Sequence, residues 1–148
     1  MPSTVSFHRV LRCPPARLFR ALTQAEALAK WLPPHGYTGQ VHQLEPKVGG
    51  HWHMAFTHLG SGHSHGFGGE YLAVEPDRLL RYTSVFDDPQ LPGTMVTTLT
   101  LTPVVCGTEL HAEQSGIPDG IPPALCHLGW QESLALLALL VEAEVPGG

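Results

Sequence analysis

Ten histidines stand out in this chain of 148 residues, and several of them fall where metal chemistry would want them. His51-x-His53, His58 and His63-x-His65 cluster in one stretch, with His42 a little upstream. Imidazole is a good zinc or nickel ligand and alternate strand positions share a face, so His58, His63 and His65 form a conceivable site. Against it, the hairpin they span contains no Cys or Asp, and its Gly-Ser turn reads as mobile. A structural zinc site wants four fixed ligands. The expectation is therefore surface histidines, with no metal and no cofactor.

Acid–base or nucleophilic chemistry has thinner support. His111 and Glu113 lie two apart, as do Glu109 and His111, but their apolar alternates Leu110 and Ala112 turn that charged face toward solvent. His111-Ala112-Glu113 matches the first half of a zinc-deaminase signature, and no Pro-Cys-x-x-Cys follows. There is no Gly-x-Ser-x-Gly elbow, and Ser115-Gly116 has no evident base. The glycine-rich run from Gly60 to Gly69 lies between strands and not at a helix start, so it is a poor phosphate cradle. Catalysis would need His127 or Glu132 to enter a cavity. No catalytic residue is expected.

The apolar residues are more informative. With a turn centred on Ser61-Gly62, Trp52 would face Tyr71, Met54 would face Gly69, Phe56 would face Phe67, and His58 would face His65. That puts Trp52, Met54, Phe56, Phe67 and Tyr71 on one side of a sheet, with His51, His53 and Glu70 on the other. Such a face is either packed core or the wall of a cavity. Tyr82, Met95, Leu99, Leu110, Ala112, Leu125 and Leu128 are further wall candidates. Gln114, His127 and Tyr71 are the polar groups available to orient a guest. Gly68, Gly69 and Gly129 would let a ligand or a backbone come close.

These residues must be positioned by strands and one long helix. Ile121 to Val141 is the longest helical pattern, with Pro122-Pro123 at the tolerant first turn and Trp130, Leu134, Leu137 and Val141 on one side. Residues 5–12 read as a strand. Pro14-Pro15 opens a short helix carrying Leu18, Phe19 and Leu22. Thr23-Gln24-Ala25-Glu26 matches a capping box for a second one, which carries Leu28 and Trp31 and ends at Pro33-Pro34. Strands are expected at 37–45, 50–58, 65–74, 79–86, 95–103 and 108–115, separated by Gly, Pro and Asp turns and read as an antiparallel meander. Length and the lack of a linker imply a single domain over 1–148.

Bulk composition excludes several classes. Eight basic and thirteen acidic residues give a net charge of −5, unsuited to nucleic acid or an anionic membrane. No apolar window looks close to the ~20 residues of a membrane span. The N-terminus lacks signal-peptide features, and three scattered cysteines suit reduced thiols, so a cytoplasmic protein is expected.

The order strand, two short helices, six strands and a long helix resembles the helix-grip fold of the START-like (SRPBCC) superfamily. Within it the chain is similar to the bacterial branch related to the activator of the heat-shock protein ninety ATPase. The residues that carry the likeness are Pro14-Pro15-Ala16-Arg17-Leu18-Phe19, Leu22-Thr23 with Trp31, and Val48-Gly49-Gly50-His51-Trp52. They continue with Gly69-Glu70-Tyr71-Leu72, Pro76 to Thr83, Gly107-Thr108-Glu109-Leu110 and Gly129 to Leu134. The resemblance implies an α+β fold in which a curved antiparallel sheet of six or seven strands wraps the long helix around an apolar cavity. It makes Trp52, Met54, Phe56, Phe67, Tyr71, Tyr82, Met95, Leu99, Gln114, Leu125, His127 and Leu128 candidate ligand contacts. Relatives often carry Trp where this chain has Ser84; if that side chain points inward, the cavity is roomier. The function expected is binding of a small hydrophobic molecule. Alternatives are a co-chaperone-like interaction module with a chaperone partner, or a small cyclase-type enzyme using the same cavity. A homodimer is compatible with either.

Overall fold

The computed structural model describes residues 3–142. Seven strands form one antiparallel sheet: β1 (Ser3–Leu11), β2 (Tyr37–Leu44), β3 (His51–His58), β4 (Ser64–Glu75), β5 (Leu79–Phe86), β6 (Met95–Val104) and β7 (Gly107–Ile117). Their order across the sheet is β1-β7-β6-β5-β4-β3-β2. Strands β2 to β7 are therefore a meander in which each strand pairs with the next, and β1 closes back onto β7. The chain crosses from one edge to the other through α1 (Pro15–Thr23) and α2 (Ala25–Trp31). The 20-residue α3 (Pro123–Glu142) packs against β1, α1 and α2. This is the curved sheet and long helix of the helix-grip fold.

The sheet curves where its ladders are interrupted. Register shifts fall between Val41 and Gln43 on β2 and between Tyr71 and Ala73 on β4, and such bulges bend and twist a strand. At Gly69 the approach is too close for any side chain, since an added Cβ would lie 2.0 Å from the Thr83 carbonyl oxygen of β5. That glycine thus serves strand packing and not a ligand.

The β3–β4 register differs from the sequence expectation by two residues. Trp52 pairs with Gly69, Met54 with Phe67 and Phe56 with His65. The turn is tighter than supposed: Gly62 takes a positive φ of 76°, and His58 Nδ1 accepts the Ser61 amide at 3.1 Å. A slip of two residues preserves faces, because side chains alternate. Phe56 and Phe67 still meet, at a ring separation of 4.8 Å, as diagonal neighbours.

The capping box is a second correction. Thr23 is the last residue of α1, and its hydroxyl donates back to the Phe19 carbonyl at 2.8 Å. Gln24 caps α2 without a side-chain hydrogen bond. The helices follow each other so closely that the threonine belongs to the first of them. A third correction concerns apolar length. α3 has a mean hydropathy of 1.5 over 18 residues, enough by composition to cross a membrane. Scattered polar residues such as His127, Gln131 and Glu132 hide this in the sequence. In the fold it is the core helix, burying Trp130, Ser133, Leu134, Leu137, Ala138 and Val141.

Candidate functional site

Between the sheet and the N-terminal half of α3 lies a cavity of about 390 Å³. Volumes of about 300–1,000 Å³ are usual for small-molecule sites. Its sheet wall is built by period two: Trp52 and Phe56 from β3, His65 and Phe67 from β4, Tyr82, Ser84 and Phe86 from β5, then Met95 and Gln114. Its roof is α3, through Leu125, Cys126, Gly129, Trp130 and Ser133. Leu32, Pro34 and Tyr37 close one side and Ile117 and Ile121 another. Leu125, 61% exposed, and the exposed His65 mark the mouth.

Two absences of bulk help keep this space open. Ser84 points inward and is only 4% exposed, so a small side chain stands on the floor. On the roof, a Cβ added to Gly129 would meet nothing within 4 Å. The aromatic walls are braced by edge contacts: Trp52 meets Phe67 at 5.6 Å and Tyr82 at 5.5 Å. The Trp52 indole N–H also donates to the Thr83 carbonyl at 3.1 Å.

One polar cluster ties helix to sheet. Gln114 Oε1 accepts from the Trp130 indole at 3.0 Å and from the Cys126 thiol at 3.1 Å, while Gln114 Nε2 donates to Thr97 Oγ1 at 3.0 Å. The Ser133 hydroxyl donates to the Leu32 carbonyl, fixing the end of α2 to α3. Outside the mouth, His35 Nδ1 stands 3.1 Å from Glu132 Oε2.

The site is electrically neutral inside. Burial drives the Tyr82 phenol well above its usual range; neighbouring Tyr71 adds to this and the Thr97 hydroxyl offsets part of it. Burial alone raises Tyr71 to about 12. The Cys126 thiol is likewise raised by burial, which keeps it protonated and a weak nucleophile. Among the described residues, no Asp, Glu, Lys or Arg lines the cavity.

The structure brings together Trp52, Phe56, Phe67, Tyr82, Met95, Gln114 and Leu125 of the anticipated contacts. Met54, Tyr71 and Leu99 line a separate void of about 20 Å³ deeper toward α1 and α2, with Trp52 and Tyr82 shared between the two spaces. That region is packed core. His127 and Leu128 line neither space. The His127 ring packs edge-on against Phe7 at 5.6 Å, and Leu128 is 52% exposed on the outer side of α3. Residues not anticipated as contacts include Leu32, Tyr37, Phe86, Cys126, Trp130 and Ser133. Phe86 was readable from alternation with Tyr82 and Ser84. Cys126 and Ser133 were readable from their helical spacing of four and three from Trp130.

The rings of His42 and His53 meet at 5.3 Å, but the clustered histidines do not come together as one group. His58 is engaged with its own turn, His53 Nε2 pairs with Asp87 at 2.8 Å, and His65 sits at the cavity mouth. Among the described residues no group of three or more His, Cys, Asp and Glu could hold a metal ion. His111 and Glu113 are exposed on the outer face of β7.

A sheet gripping a C-terminal helix, with an apolar cavity between them, defines a START-like domain. The profile described as "Activator of Hsp90 ATPase homolog 1-like protein" matches residues 12–142, and the chain belongs to that family. Protein CV1439 from Chromobacterium violaceum, known from a crystal structure, is 51% identical over 97% of this chain and 100% of its own, with a TM-score of 0.95. Protein MLL2253 from Mesorhizobium loti is 32% identical over 97% of this chain and 100% of its own, with a TM-score of 0.74. An AHSA1-like protein from Aeromonas hydrophila shares the fold at 18% identity and a TM-score of 0.76, covering 95% of this chain and 92% of its own. No curated protein matches the chain.

Proposed function

We propose that this protein binds a small hydrophobic molecule in the cavity between the sheet and α3, acting in the cytoplasm as a carrier or sensor without chemistry of its own. The observation that carries this reading is the cavity itself: about 390 Å³, walled by aromatic and aliphatic side chains, beside a deeper space of only about 20 Å³. Interiors ordinarily close to crystal-like density. Each Å² of apolar ligand surface removed from water there contributes roughly 25 cal/mol, before the cost of immobilising the ligand. Three unpaired thiols suit a reducing compartment.

The test is binding of the neutral dye N-phenylnaphthylamine, whose fluorescence rises on transfer to an apolar site. Saturable binding at micromolar dye is expected. Ser84→Trp fills the floor and abolishes the rise, while its circular dichroism stays that of the parent. A dye signal unchanged by Ser84→Trp, or no signal in the parent, contradicts the reading. The co-chaperone alternative rests on the family's description. It predicts a faster chaperone ATPase on adding this protein, indifferent to Ser84→Trp.

A further inference from the structure

We infer that the cavity selects an uncharged, ring-bearing molecule carrying one hydroxyl or carbonyl group, and that the Ser84 hydroxyl is the group that receives it. This rests on the ligand-binding reading and narrows it to a chemical class. The first observation is the absence of a counter-charge. No acidic or basic side chain lines the cavity among the described residues, apart from His65 at the exposed mouth. A carboxylate or ammonium carried inward would lose its hydration and gain no ion partner, which strongly disfavours the charged form. The desolvated Tyr82 phenol and Cys126 thiol, both held neutral, report the same environment.

The second observation is Ser84. Among the described residues no enclosed side-chain nitrogen or oxygen lacks a partner, and three of the polar side chains that line the cavity are committed to the protein itself. Gln114 serves Trp130, Cys126 and Thr97; Trp52 serves the Thr83 carbonyl; and Ser133 serves Leu32. The Ser84 hydroxyl takes part in no hydrogen bond with these residues, although the residue is 96% buried, being 4% exposed. It therefore opens onto the cavity, on the inward face of β5 between Tyr82 and Phe86. A hydroxyl both donates and accepts, so it suits an alcohol, a phenol or a carbonyl equally. The surrounding rings of Trp52, Phe67, Phe86 and Trp130 favour a guest that can stack or meet them edge-on.

The experiment uses one ring skeleton in three forms: naphthol, naphthalene and naphthoate, each displacing N-phenylnaphthylamine from the full chain. Naphthol is expected to displace the dye best, and naphthoate to be weaker by about tenfold or more, as an unpaired buried charge requires. In Ser84→Ala, naphthol should lose about three- to tenfold in affinity, the span of one net hydrogen bond, while naphthalene is unchanged. Equal displacement by all three, or a naphthol affinity indifferent to Ser84→Ala, overturns this inference and leaves the cavity reading standing. Failure of the dye itself to bind the parent removes both.

Discussion

Gln114→Leu should loosen α3 from the sheet by an amount the geometry fixes within narrow bounds. The substitution keeps the approximate volume of the side chain and deletes its amide. Gln114 is 9% exposed, so water cannot readily replace it. The Trp130 indole N–H then has no acceptor, and a stranded buried donor costs about 1–3 kcal/mol. The Thr97 hydroxyl loses a donor but still lies beside the Tyr82 phenol, and the Cys126 thiol is a weak donor, so these two contribute less. The net expectation is about 2–3 kcal/mol. At about 2–4 °C per kcal/mol for a domain near this size, the melting midpoint falls by about 4–12 °C. The assay is urea and thermal denaturation of the parent, Gln114→Leu, Trp130→Phe and the double variant. In the Trp130→Phe background no indole N–H remains to be stranded, so Gln114→Leu should cost about 1–2 kcal/mol less there. A loss under about 0.5 kcal/mol, or strict additivity, would refute the view that this amide pins helix to sheet.

Further outcomes follow from the same geometry. Gly129→Ala should stabilise the protein by about 0.5–1 kcal/mol, since alanine is the better helix residue and its methyl meets nothing within 4 Å, while dye affinity falls because that methyl takes up cavity space. Equilibrium unfolding paired with dye titration reads both, and a destabilised variant would contradict the open roof. Tyr71 ionises at about 12 in the folded protein, whereas an unfolded phenol ionises near ~10, so the folded state holds the proton more tightly. Its contribution is complete below pH ~10 and is lost as pH rises toward about 12, so stability should decline across that window and decline less steeply in Tyr71→Phe. Urea midpoints against pH check this, and identical slopes would argue against a buried phenol.

The sheet was more legible than the helix above it. Alternation placed Trp52, Phe56 and Phe67 on the cavity side even though the β3–β4 pairing was off by two, because an even slip leaves faces unchanged. The family words anticipated the helix-grip architecture, and Ser84 in place of a bulky residue pointed at the open floor. Of the anticipated helix contacts, Leu125 lines the cavity, whereas His127 and Leu128 do not. Periodicity put Trp130, Leu134, Leu137 and Val141 on the side that is buried, but α3 is apolar around much of its circumference, with Leu125, Leu128 and Leu139 exposed, so it did not say which residues of the first turns reach the cavity. The cavity-facing positions are Leu125, Cys126, Gly129, Trp130 and Ser133, three of them small, while Leu128 lies outside. A rule that sends only large apolar residues inward finds Trp130 but misses Cys126 and Ser133, the small residues beside an interior left partly empty. Thr23 was misread for a related reason: the box of residues was present, but α1 ran on to include it.

The central claim is that the space beneath α3 is a binding site, and a crystal structure of the protein grown with naphthol addresses it most directly. Density is expected for one naphthol between the aromatic walls and α3, its hydroxyl within hydrogen-bonding distance of Ser84 Oγ. A collapsed interior with Trp52, Phe67 and Trp130 interlocked, or naphthol bound only on the outer surface, would contradict it.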